Sequence, residues 1–224
     1  VRPTLKNKGD KGQARPAFTL AEYRTLVRKL PAWTKKATNT KSTMMRELLR
    51  EYVLILANTG IRHGTEALSL KWKNVERWND GKGEIYLRLS VNGKTGERSL
   101  IARDGTDAYF QRIQAKFPEL KGLTFDALLK KKLDVQVFRL ADGSSTANLN
   151  QTFEQFLDDS GLKYGGGSET PRTLYSLRHT YATFALTEGI DIHTLARQMG
   201  TSISMIERHY SKITPLVSAE QLAY

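Results

Sequence analysis

The 224-residue chain contains no cysteine, which excludes disulfides and thiolate metal sites and fits a reducing compartment. No apolar run reaches the roughly 18 residues that a membrane-spanning helix needs. No basic amphipathic helix with a bulky aromatic face stands out either, which argues against a role on a membrane surface. The start at Val1 carries no signal-peptide pattern, and a start without Met predicts a fragment of a longer protein. There is no GxGxxG or P-loop, and His63, His179, His193 and His209 lack metal-ligand spacing. No internal repeat is visible.

What the chain has is positive charge. Lys and Arg number 35 against 23 Asp and Glu, a net charge of +12 and a pI near 9.8. Such an excess favours polyanions (DNA, RNA or anionic lipid) over neutral partners. Generic solubility charge is the plainer alternative. Hydrophobic residues make up 39%, enough to bury a core and exclude global disorder. The length suits one large domain or two small ones.

Residues 1–16 are rich in Lys, Gly, Arg and Pro and read as a basic linker. Thr19 and Glu22 form a capping box opening a helix to about Leu30. Residues 44–57 carry Leu48, Leu49, Val53, Leu54 and Leu56 at helical spacing, and Gly60 reads as a left-handed cap. Residues 65–70 predict another short helix.

Residues 84–91 alternate with Ile85, Leu87 and Leu89 on one face, a strand. The turn cluster at 92–96 joins it to a second strand at 98–102, making a β-hairpin. Helices follow over 106–117, with Ala108, Phe110 and Ile113 inward, and over 147–157. Residues 118–142 give no clear reading. Residues 162–170 read as a Gly-rich, mobile loop and 173–188 as a long helix. Asp191 caps a helix ending at Gly200, and Ser202 or Ser204 caps the helix that carries Tyr210.

Several side chains on these elements suit phosphoryl chemistry. Arg62 sits where one helix ends and another begins, with Glu66 four residues on; this is a natural phosphate seat or a surface ion pair. Lys94, at the hairpin tip between glycines, can reach a DNA groove and protonate a leaving oxygen, or simply solubilise the turn. Arg178 lies in a helix whose Leu174, Leu177, Tyr181 and Phe184 face inward. An unpaired charge there is costly, so it awaits either a bound phosphate or an internal salt bridge. Arginine grips phosphate oxygens bidentately, and tyrosine can attack phosphorus and hold it as an ester. Tyr210, at the end of an amphipathic helix, is that tyrosine or a packing residue. His179, beside Arg178, reads as structural.

In this order the pieces resemble the catalytic domain of tyrosine recombinases, the phage-integrase family. Thr59-Gly60-Ile61-Arg62 with Glu66-Ala67-Leu68-Ser69-Leu70-Lys71-Trp72 is similar to the family's first arginine box. Leu177-Arg178-His179-Thr180 is similar to the second, and Met199-Gly200-Thr201-Ser202 with His209-Tyr210 to the nucleophile box. The resemblance covers about residues 18–213. It departs in one extra residue between Arg62 and Glu66, in Tyr175 where the family usually has histidine, and in Thr201 where it has histidine or tryptophan. Both replacements keep a hydroxyl that can donate a hydrogen bond.

The resemblance implies an α+β fold, mainly α-helical with a small antiparallel β-hairpin or sheet. It implies a basic linker at 1–16 to a missing N-terminal DNA-binding domain, a catalytic domain at 17–213, and a tail at 214–224 that docks on a neighbouring subunit or its own domain. By the same resemblance Tyr210 attacks DNA to give a 3′-phosphotyrosine, Arg62 and Arg178 neutralise the non-bridging oxygens, and Lys94 protonates the 5′-oxygen. Tyr175 and Thr201 assist. The ester conserves the bond energy, so neither metal nor other cofactor is implied. The implied partner is double-stranded DNA, bound by a self-associated tetramer. The implied setting is the cytoplasm of a bacterial or phage-infected host, at the nucleoid. A type IB topoisomerase-like enzyme that relaxes DNA, and a DNA-binding regulator without catalysis, are the alternatives.

Overall fold

The computed structural model describes residues 15–93, 96–144, 149–165 and 167–210, with Tyr210 described by its backbone alone. Helices dominate: α1 (Leu20–Thr34), α2 (Thr40–Thr59), α3 (Asp107–Gln114), α4 (Pro118–Lys121), α5 (Phe125–Lys130), α6 (Leu149–Ser160), α7 (Leu174–Thr187), α8 (Ile192–Met199) and α9 (Ile203–Tyr210). One antiparallel sheet of order β1-β2-β3 joins β1 (Val75–Asn79), β2 (Ile85–Gly93) and β3 (Gly96–Ile101). This is the expected α+β class.

The long helix α2 is the centre. Its buried face includes Leu49, Tyr52, Val53, Ile55 and Leu56, and α1, α3, α6 and α7 pack around it. Phe110, Phe138, Phe153, Phe156 and Trp72 fill the same core. A smaller apolar cluster lies beneath α7, α8 and α9, built from Tyr181, Ala182, Ala185, Leu186, Leu195, Ala196, Met199 and Ile206. Gln198 joins α8 to the sheet: its amide accepts from the Ile101 N–H at 3.0 Å and donates to the Ile101 carbonyl at 2.7 Å.

The caps follow the sequence. Thr19 accepts from the Glu22 N–H and Glu22 answers the Thr19 N–H at 2.8 Å. Asp191 caps α8 by accepting from the Thr194 N–H at 2.9 Å, and Ser202 caps α9 by accepting from the Met205 N–H at 3.3 Å.

Three expectations change, and two stretches without a reading take on structure. Helix α1 runs through Pro31 to Thr34, because Trp33 is anchored by an indole bond to Asp159 at 2.7 Å and an edge contact with Phe156. The short helix expected at 65–70 is a run of turns instead. Gly64 takes φ 90, outside the helical region, and the Glu66 carboxylate turns inward to the Arg62 N–H at 2.9 Å. Strand β1 was not legible, since only Val75 of it is buried and no alternation appears. Ile85 is 61% exposed at the end of β2, and Val91 takes the third inward position beside Leu87 and Leu89. The unclear stretch 118–142 holds α4 and α5 and sends Val137, Phe138 and Leu140 into the core.

Gly60 closes α2 in the left-handed region at φ 66, and a Cβ there would meet the Tyr181 ring at 2.5 Å. Backbone strain and overpacking both oppose a side chain. Gly60→Ala should therefore cost roughly 2–5 kcal/mol, read as a lower urea midpoint with an unchanged slope.

Candidate active site

The end of α2, the turn after it, and the end of α8 meet at one place. Two glycines make the meeting possible. Gly60 ends α2 and Gly200 ends α8, both left-handed, at φ 66 and φ 60. Each reversal leaves carbonyl oxygens with no helical partner. Arginines take them. The Arg178 guanidinium, from α7, donates to the carbonyls of Gly60 and Met199. Arg62 donates to the carbonyl of Gly200 and to Glu66. Cations at a helix C-terminus also suit its dipole.

Arg178 is only 4% exposed, deeper than the core edge its sequence implied. No carboxylate lies within ion-pair distance of it among the described residues, so the internal salt bridge is not what holds it. Burial first, and then repulsion from Arg62, push its pKa down to about 10, which leaves it charged at neutral pH. Glu66, 1% exposed, is no surface partner. One oxygen accepts from the Arg62 side chain; the other accepts from the Arg62 N–H and, at 2.8 Å, from Arg98. The extra residue between Arg62 and Glu66 therefore does not separate them.

Arg98 was missed as a site residue. It shares the inward register of β3 with Leu100, and that register was the available signal. Burial and the nearby Arg62 charge lower its pKa. A Cβ on Gly200 would lie 2.2 Å from its Nε, so the close approach requires glycine there. Arg62, Arg98, Arg197, His193, Gly200 and Thr201 line an open groove beside this cluster. The groove is strongly basic.

Thr201 is half-buried on the rim, its N–H donating to the Ala196 carbonyl at 3.0 Å. Tyr175, three residues before Arg178 on α7, is 43% exposed and meets His179 edge-on at 5.1 Å between ring centres. His179 is buried and also meets His209 edge-on, at 5.7 Å. The structure thus brings Arg62, Arg178 and Thr201 together and sets Tyr175 on the same helix as Arg178. Lys94 and the Tyr210 side chain lie outside the described residues; the Tyr210 backbone closes α9, the helix that follows the Gly200 turn. Among the described residues no group of three or more His, Asp or Glu could hold a metal ion, and no helix is long and apolar enough to cross a membrane.

A family model described as the phage integrase family matches residues 27–215. The chain belongs to the phage integrase family. Solved structures agree with that assignment at the level of fold. A XerH site-specific recombinase in a post-cleavage complex with its palindromic difH substrate aligns with TM-score 0.63 at 16% identity over 96% of this chain. The Tn1549 transposon integrase with transposon right end DNA aligns with TM-score 0.59 at 18% identity over 96% of the chain and 68% of its own. A lambda integrase dimer on a COC′ core site gives 0.54 at 18% identity, over 89% of this chain and 49% of its own. This integrase-family chain spans 55% of the XerH recombinase. No curated protein matches its sequence.

Burial, with His209 and Arg178 adding repulsion, lowers the His179 pKa to about 4, against roughly 6.5 when unfolded. A depressed folded pKa favours the neutral ring in the native state. The resulting stability is complete above about pH 6.5 and falls as pH drops toward 4. His63 is shifted the same way by burial, so the comparison needs a variant. His179→Gln should flatten part of the fall in urea stability between about pH 6.5 and 4; an unchanged profile would assign it elsewhere.

Proposed function

We propose that the chain is the catalytic part of a site-specific DNA recombinase that cuts and rejoins strands through a 3′-phosphotyrosine. The observation that carries this reading is the convergence of Arg62 and Arg178 on the glycine turn that leads into the helix ending at Tyr210. Arg178 is buried, charged and has no carboxylate within ion-pair distance among the described residues, an arrangement that a phosphate would complete. Family membership and the basic groove support the same chemistry.

In the reaction, the Tyr210 hydroxyl loses its proton to water and its oxygen bonds to phosphorus while the bond from phosphorus to the 5′-oxygen breaks. Lys94 supplies the proton to that oxygen. Arg62 and Arg178 stabilise the charge on the non-bridging oxygens, and the hydroxyls of Tyr175 and Thr201 add hydrogen bonds. A 5′-hydroxyl of a partner strand then attacks the phosphotyrosine and releases Tyr210. Residues 1–16 link this part to an N-terminal DNA-binding domain, 17–213 form the catalytic domain, and 214–224 dock on a neighbouring subunit of a tetramer on duplex DNA. The setting is the cytoplasm, at the nucleoid.

Tyr210→Phe removes one oxygen and little packing. On a nicked duplex from the parent element's ends, the full-length variant should form no covalent adduct on a denaturing gel while binding DNA nearly as well. Adducts that persist would name another nucleophile.

Lys94→Ala should slow cleavage of an ordinary phosphodiester but be largely rescued by a 5′-bridging phosphorothiolate, since a thiolate leaves without a proton. Equal defects on both substrates would reduce Lys94 to DNA binding.

A further inference from the structure

Among the described residues, Arg178 is not alone in being a deeply buried arginine that no carboxylate pairs. Arg46, near the start of α2, is 9% exposed. Its guanidinium stacks over the Trp33 ring with 4.0 Å to the ring centre, and Nη1 donates to the Trp33 carbonyl at 3.0 Å. Nε is buried without an acceptor, and no acidic side chain pairs with Arg46 among the described residues. Arg172, the remaining arginine of comparable burial, differs: it pairs with Glu22 at 2.6 Å. A buried cation without a counter-charge is expensive.

The surroundings make the deficit larger. Arg46 lines an open pocket of about 650 Å³ with Arg28, Lys29, Lys36 and Asp159. Lys29 is held by the Ser160 carbonyl at 2.8 Å, a neutral acceptor. Asp159, the one acid among the described residues of the lining, accepts the Trp33 indole proton at 2.7 Å. Four cations therefore face one carboxylate that already has a partner. Arg46 lies fourteen positions before Gly60 on α2, about 21 Å along the helix at 1.5 Å per residue. One phosphate cannot serve both ends.

We propose that this pocket between α1, α2 and α6 is a second phosphate-binding site, separate from the candidate active site. Arg46 presents its planar guanidinium from the Trp33 ring, and Arg28 and Lys36, both exposed, close over the anion. The ligand is a phosphate group, either free or in a nucleic-acid backbone. The proposal does not depend on strand cleavage.

Inorganic phosphate is the probe, titrated into the whole chain at constant ionic strength while arginine Nε–H resonances are followed by NMR. The Arg46 resonance should shift saturably, and should still do so in Arg178→Ala, which removes the active-site arginine. In the double variant Arg28→Ala, Lys36→Ala the affinity should fall about ten- to hundredfold. An Arg46 resonance that stays still, a response lost in Arg178→Ala, or unchanged affinity in the double variant would each overturn the proposal. Duplex DNA then identifies the source. A salt slope reduced by roughly 0.9 per lost contact in the double variant assigns the pocket to a nucleic-acid backbone. An unchanged slope with lost phosphate binding assigns it to free phosphate.

Discussion

The site depends on a buried guanidinium held by backbone alone. Arg178 reaches from α7 to the carbonyls at the ends of α2 and α8, and no carboxylate neutralises it among the described residues. A carboxylate would satisfy the charge permanently. Carbonyl dipoles orient it and leave the net charge in place, so an arriving anion meets a donor already aimed and already stripped of water. Such preorganisation makes electrostatic stabilisation of a transition state effective. The cost is desolvation, visible in the lowered Arg178 pKa.

The rest of the site follows from making that arrangement tolerable. Gly60 and Gly200 reverse the chain so that carbonyls face the guanidinium. Glu66 supplies one buried negative charge, but spends it on Arg62 and Arg98. Three arginines against one carboxylate leave the cluster positive, beside a groove with further basic groups. The Gly200 turn that receives Arg62 also begins the short path through the Ser202 cap to the end of α9. Geometry set by two glycines therefore fixes both the cations and the direction of the last helix.

Much of this was legible in the sequence because it is written in local rules. The Thr19–Glu22 box, the left-handed Gly60, the Asp191 cap and the alternation of Leu87 and Leu89 each act within a few residues. What was not legible depends on contacts distant in sequence. Trp33 keeps α1 helical past Pro31 only because Asp159 and Phe156 are there. Val75–Asn79 becomes a strand because β2 offers an edge, not because its own pattern alternates. Arg98 looked like the start of a strand; its place beside Glu66 comes from the hairpin folding back on the turn after α2. Arg62 and Arg178 stand in recognisable boxes in the sequence, whereas the carbonyls that hold them could not be read from any residue type. That Arg178 has no acid partner among the described residues is a property of the fold.

In the proposed function, Arg178 acts on charge at the phosphate. The most direct measurement compares single-turnover cleavage by the full-length protein and its Arg178→Ala variant on two substrates. One carries an ordinary phosphodiester at the scissile position; the other carries a methylphosphonate, in which a methyl group replaces one non-bridging oxygen and removes the negative charge. A defect of roughly 10²–10³ is expected on the phosphodiester, shrinking to about tenfold or less on the neutral substrate. Equal defects on the two substrates would contradict it, and would leave Arg178 as a strut between α2, α7 and α8.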